Sequence, residues 1–244
     1  MANVMPESSA AKDYSALYTP LAILIAGALV AGGLYFGLSA GGGVAAGPAQ
    51  PSVNIKDVKQ DGEPYIGDKN AKVVLAYWFD YQCPFCKAVD VGGVEGIPIE
   101  PAMPTLIKDY VNTGKLKIVF KDYAFLGDDS YTAADYGHAV WRLYPEKFYE
   151  WHEAMFKAQD EEHAGFGDEA SIVALMRKIP GIDADKVKAD VAANGAEYRA
   201  EAAADAQEGS SFGISGTPGF ITGKVLIPGA AELDKFKAAI DPQL

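Results

Sequence analysis

The chain of 244 residues is poor in cysteine, with two, poor in histidine, with three, and short of positive charge, with 21 Lys and Arg against 33 Asp and Glu. Each scarcity narrows the field. A formal net charge of −12 argues against nucleic acid, because a phosphate backbone would be repelled and no Lys/Arg stripe is present. Two cysteines are too few for a disulfide framework, and a folded part of this size buries a full core without cross-links. A zinc site needs four ligands, usually two pairs of Cys or His. Only one pair exists here, and His138, His152 and His163 lie apart in a region that reads as helical without a second C-x-x-C-like knuckle, which leaves metal binding, a site shared between two chains included, as a minor alternative. There is no internal repeat.

Charge is missing altogether from Tyr14 to Ile55. Within that zone, Leu21 to Leu38 ("LAILIAGALVAGGLYFGL") would form about 27 Å of helix, close to the hydrocarbon thickness of a bilayer. The run has no polar face, and Tyr18 and Tyr35 sit near its ends, where aromatic rings favour the headgroup layer. A cleaved signal peptide competes, with small-residue sites at Leu38-Ser39-Ala40 and Val44-Ala45-Ala46. The length of the apolar run and the nineteen residues before Pro20 favour an uncleaved anchor. Lys12 and the terminal amine on one side, and Lys56 and Lys59 on the other, leave its orientation open. Gly33 and Gly37 form a G-x-x-x-G, a weak hint of helix pairing in so Gly-rich a segment. "SAGGGVAAGPAQPS", Ser39 to Ser52, reads as a flexible tether.

"KVVLAYWFD", Lys72 to Asp80, is an apolar and aromatic run suited to a strand buried on both faces. It runs directly into "YQCPFCK". Pro84 suits the first position of a helix, which places Cys83 at the N-cap and Cys86 one turn later on the same face. The helix should weaken at Gly92-Gly93 and resume over Met103 to Gly114, before a second strand at Lys115 to Asp122. Strand, helix, strand is a βαβ unit. Tyr131 to Gly209 reads as helical, with Trp151 and His152 on an apolar face as packing groups. Strand character returns at Phe220 to Thr222 and Val225 to Ile227, followed by a helix with Leu233, Phe236 and Ile240 on one face. The expected fold is α/β: a βαβ half, a helical insertion over about 128–212, and a β-hairpin with a terminal helix.

As a staple the pair would close a loop of two residues and constrain little. As a reagent it has a suitable environment. Unpaired N–H groups and the dipole at a helix N-terminus stabilise a thiolate at Cys83, while Cys86 lies a turn further in. One sulfur becomes an accessible, low-pKa nucleophile, and the other waits to resolve the mixed disulfide.

"FDYQCPFCK" after a strand, "YVNTGKLKIVFKDY", "KFYEWHEAMFKAQ" and "GISGTPGFITGK" together resemble the DsbA-like branch of the thioredoxin superfamily, whose extracytoplasmic bacterial members are often membrane-tethered. The resemblance spans roughly residues 55 to 242. It implies a thioredoxin-like fold and thiol-disulfide exchange through Cys83 and Cys86, with Pro84 and Phe85 tuning the pair. It also implies a cis peptide bond at Thr217-Pro218 facing the sulfurs, where an extended substrate segment pairs with the Thr217 backbone. An ordinary turn at S-G-T-P-G is the plainer alternative there.

The sequence departs from the family at two places. The family often carries an acid six positions before the first cysteine for proton handling; here that residue is Tyr77, and Asp80 is the nearest acid and a proton-transfer candidate. Phe85 stands where the best-known relative has histidine, which implies a weaker hold on the thiolate and a milder oxidant. Gly92 to Pro104 looks like a local insertion with no assigned role.

The resemblance further implies exported thiol-containing proteins as substrates, a quinone-linked membrane partner for reoxidation, and no cofactor or metal beyond the two sulfurs. The organisation that follows is a cytoplasmic tail at 1–19, a membrane anchor at 20–40, a linker at 41–54 and a catalytic domain at 55–244 outside the cytoplasm. A reductase or isomerase is the rival within the same chemistry. A peptide-binding module without redox turnover is the rival outside it.

Overall fold

Residues 52–161 and 164–244 are described by a computed structural model. The expected tail, anchor and all but the end of the linker, with His163, lie outside the described residues. Among the described residues no helix is long and apolar enough to cross a membrane.

Five strands form one mixed sheet: β1 (Tyr65–Ile66), β2 (Val73–Phe79), β3 (Leu116–Asp122), β4 (Gly219–Thr222) and β5 (Val225–Pro228), in the order β1-β3-β2-β4-β5. β2 and β3 are parallel, from Val73 opposite Leu116 to Phe79 opposite Asp122, and the other pairs are antiparallel. The parallel pair requires a crossover, which α1 (Pro84–Asp90) and α2 (Met103–Leu106, continued by a π turn over Ile107–Val111) supply. The helical insertion is α3 (Asp128–Leu143), α4 (Phe148–Ala158), α5 (Glu169–Met176) and α6 (Ala184–Ser211), and α7 (Leu233–Ile240) follows the hairpin. The expected βαβ, insertion and hairpin-helix layout is therefore present.

β2 explains why the molecule has two layers of core. Its side chains alternate faces. Val73, Leu75, Tyr77 and Phe79 join the large cluster shared with α1, α4 and α7, while Ala76 and Trp78 join a smaller one with Val53, Val58, Ile214 and Ile221. α6 crosses this second face so closely that a Cβ on Gly209 would sit 2.8 Å from the Trp78 ring. The Trp78 indole donates to the Asp205 carbonyl at 2.9 Å, fixing the helix against the strand. α1 ends at Asp90 because Gly92 and Gly93 both adopt φ of +72°, a left-handed conformation that halts the helix. Residues 92–102 then run without regular structure before α2 begins.

Candidate active site

The C-terminal end of β2 delivers the chain into a tight loop built around Asp80. This carboxylate is buried and accepts three backbone N–H groups: Gln82 at 2.8 Å, Phe125 at 2.9 Å and Leu126 at 3.2 Å. It ties the cysteine loop to the segment after β3, and burial pushes its pKa up against the pull of those amides. All three contacts are structural in kind. Towards Cys86, Asp80 offers its backbone rather than its carboxylate.

Cys83 is the N-cap of α1, with φ −78°, ψ 118° and Pro84 at the first helical position. Its carbonyl accepts the N–H of Cys86 at 3.1 Å and of Lys87 at 3.2 Å. The two sulfurs are unbonded thiols in very different surroundings. Cys83 has its pKa lowered to about 7, chiefly by a hydrogen bond from the Cys86 thiol and, after the opposing effect of burial, by the Thr217 side chain and the N–H groups of Cys86 and Phe85. The helix N-terminus therefore contributes as expected, but the neighbouring thiol contributes more. Cys86 is pushed well up, first by burial and then by the hydrogen bond and charge of Cys83. Cys83 is itself only 3 % exposed, so it is more covered than a freely accessible nucleophile would be.

The cover comes from the far end of the chain. Thr217-Pro218 is a cis peptide bond. The Cys83 thiol donates to the Thr217 carbonyl at 3.4 Å, and the Gly229 N–H holds the Pro218 carbonyl at 2.8 Å. A cleft of about 230 Å³ opens beside this loop, lined by Ile214, Ser215, Gly216, Thr217 and Pro228 among others. Phe85, between the cysteines, is 49 % exposed and packs on nothing in the core, so the dipeptide faces outward as its position predicts.

Two parts of the site were not singled out from the sequence. Gln159, just after α4, donates its side-chain amide to the carbonyls of Tyr81 at 2.6 Å and Cys83 at 3.2 Å, and its own carbonyl accepts Lys87 Nζ at 2.5 Å. The helical insertion is thereby laced to the redox loop. The second part is a buried polar chain beneath Cys86. Tyr77 donates its hydroxyl to Asp90 at 2.6 Å, the other Asp90 oxygen meets His152 Nε2 at 3.1 Å, and His152 Nδ1 meets the Tyr81 hydroxyl at 3.0 Å. His152 is thus more than a packing group, whereas Trp151 does pack in the core. The signal for Asp90 was its place four residues after Cys86, on the same helical face.

A low-pKa thiol at a helix cap, a high-pKa thiol one turn behind it and a backbone groove alongside define a dithiol-disulfide exchange centre. The chain belongs to the thioredoxin family, whose model, "Thioredoxin", matches residues 59–242, and its cysteine pair makes it a DsbA-like thiol-disulfide oxidoreductase. Disulfide bond formation protein D of Bacillus subtilis is 24% identical over 195 residues, 80% of this chain and 80% of that protein. Among solved structures, oxidised BdbD from Bacillus subtilis superposes with a TM-score of 0.67 at 23% identity, covering 80% of this chain and 97% of its own. The thiol-disulfide exchange protein alpha-DsbA2 from Wolbachia pipientis gives a TM-score of 0.62 at 29% identity, covering 75% and 87%.

Proposed function

We propose that this protein oxidises cysteine pairs in exported proteins on the outer side of the cytoplasmic membrane. The observation that carries this reading is the asymmetry of the two sulfurs, with Cys83 lowered to about 7 beside an open backbone groove and Cys86 buried and raised. A substrate segment lies along Thr217, and its thiolate attacks Cys83 in the Cys83–Cys86 disulfide, expelling Cys86. A second substrate thiol then attacks the mixed disulfide, leaving a substrate disulfide and two reduced enzyme sulfurs. The lowered pKa of Cys83 favours this direction, because it stabilises the reduced enzyme and makes Cys83 the better leaving group. Phe85 supplies no charge and no hydrogen-bonding side chain to strengthen that effect.

Residues 20–40 tether the domain 55–244 through the linker 41–54, with residues 1–19 in the cytoplasm. Short tethering keeps the pair beside a quinone-linked membrane partner that reoxidises it. The names of the relatives, disulfide bond formation protein D and thiol-disulfide exchange protein, support the chemistry. One observation favours the reductase alternative: a Cys83 near 7 is closer to the value of about 7 in thioredoxin than to the value of about 3.5 in a strong oxidant.

One experiment separates the two. Catalytic amounts of the full chain, equilibrated with glutathione at a known poise, are added to a reduced, unfolded protein with paired cysteines. The oxidase reading requires faster disulfide formation and a domain released by protease from intact spheroplasts. A chain that only reduces disulfides, or a domain protected until the membrane is broken, refutes it.

A further inference from the structure

Cys83 is held from two sides, and neither hold comes from its own stretch of chain. Its thiol donates to the Thr217 carbonyl at 3.4 Å. The Thr217 hydroxyl, buried and without a hydrogen-bond partner among the described residues, is left to donate to the same sulfur once it ionises. Thr217 thus serves both protonation states, its carbonyl the thiol and its hydroxyl the thiolate, provided the sulfur stays opposite it. The loop that carries Thr217 is pinned in turn, with the Gly229 N–H on the Pro218 carbonyl at 2.8 Å. Whether sulfur and loop meet therefore depends on where the Cys83 backbone lies.

Gln159 governs that. It is 4% exposed and closes α4, with its N–H on the Met155 carbonyl at 3.0 Å and with Trp151, Met155 and Phe156 of the same helix fully buried. From this fixed base its side-chain nitrogen reaches the Tyr81 carbonyl at 2.6 Å and the Cys83 carbonyl at 3.2 Å. Both neighbours can only accept, so the amide presents its two N–H groups to them, one to each. An ionised glutamate has no donor to offer, and a lysine would bring a charge into a buried site. The Gln159 carbonyl takes Lys87 Nζ at 2.5 Å. One residue of the helical insertion thereby holds the redox loop at Tyr81 and Cys83 and the first turn of α1 at Lys87, with Cys86 between.

We propose that Gln159 is a positioning residue for thiol-disulfide exchange, holding the backbone of residues 81–83 so that the Cys83 sulfur stays in register with Thr217. Its side chain bonds to main-chain oxygens, so it acts through the Cys83 backbone. The proposal rests on the reading of Cys83 as the activated sulfur. The titratable groups nearest that sulfur in the fold are Cys86 and Lys87 from α1, and the Thr217 loop brings no charge. Around Lys87, Glu95 from the segment after α1 and Asp160 and Glu161 from the segment after α4 share with Gln159 a cavity of about 510 Å³. Asp80 keeps its carboxylate on three amides. Lys87 is tied to the main-chain carbonyl of Gln159, so a change of side chain at 159 leaves that charge in place.

The test follows alkylation of the reduced full chain by iodoacetamide from about pH 5 to about pH 9.5. Cys86 is buried with its pKa pushed well up, so the reaction reports Cys83, and the midpoint of rate against pH lies at about 7 in the wild type. Gln159→Met keeps the volume and removes both donors. Gln159→Asn keeps an amide one methylene too short to span both carbonyls, and it decides the matter if the methionine variant does not fold. Either should move the midpoint up by about one unit, to about 8. Thr217→Val should do the same. The double variant should stay at about 8, because a sulfur already out of register has no hydroxyl left to lose. A double variant at about 9 means that the two residues act independently, and it overturns the positioning role. So does a folded variant at 159 that keeps the wild-type midpoint, whether its rate falls equally at every pH from altered access or its melting temperature falls from lost packing. A wild-type midpoint at the value of an ordinary thiol overturns the reading of Cys83 as the activated sulfur, which is a different result.

Discussion

Thr217 carries a hydroxyl that is buried and finds no hydrogen-bond partner among the described residues, yet acts on both sulfurs. Its evident use is as a donor to the Cys83 thiolate. Thr217→Val keeps the shape and removes that donor. A hydrogen bond to a charged group contributes about 1.5 kcal/mol at the low end, or about one pKa unit, so Cys83 should move from about 7 to about 8. The sign of the redox effect follows. A thiol with a lowered pKa stabilises the reduced folded state above that pKa, and the contribution is lost as pH falls through about 7. Cys86 stays protonated in both proteins.

At pH 7 the half-ionised wild-type thiol stabilises the reduced form by only about 0.4 kcal/mol, and the variant loses most of this, so the potential falls by about 8 mV. At pH 9 the difference is about 1.3 kcal/mol, or about 28 mV. Thiolate absorbance against pH gives the first quantity, and glutathione equilibration at several pH values gives the second. An unchanged Cys83 pKa, or a potential shift of the same size at both pH values, refutes the reasoning.

Phe85→His should lower the Cys83 pKa by on the order of one unit and raise the potential, because a partly protonated imidazole stabilises a thiolate that phenyl cannot; glutathione equilibration checks it. Cys86→Ser should accumulate mixed disulfides with unfolded thiol proteins and Cys83→Ser should not, as read on non-reducing gels. Asp80→Asn turns an amide towards N–H donors and should cost about 3 kcal/mol. That corresponds to a melting temperature lower by about 6–12 °C in calorimetry, with the Cys83 pKa little changed.

What was legible beforehand was local. β2 shows as a run apolar on both faces, Cys83 as a cap because Pro84 follows it, and the hairpin because Gly223-Lys224 separates two short apolar runs. The Thr217-Pro218 loop needed the family resemblance, since S-G-T-P-G alone also describes a plain turn. What was not legible depends on elements meeting in space. His152 sits 62 residues from Asp90, and its helix-face position looks the same whether the ring packs or bonds. Gln159 lies where its helix ends, and only the fold shows its amide reaching Tyr81 and Cys83. The exposure of Cys83 was overestimated for the same reason, because its cover is contributed from 134 positions away.

That last separation has a consequence in time. The ribosome adds roughly 5–20 residues each second, so Thr217 emerges on the order of ten seconds after Cys83. Gln159, which braces the Cys83 carbonyl, also comes later, 76 residues on. Through that interval the nascent chain carries two thiols that have neither their cleft nor their unequal pKa values. A thiol-disulfide oxidoreductase thus begins its own life with an untuned cysteine pair that any oxidant nearby can close.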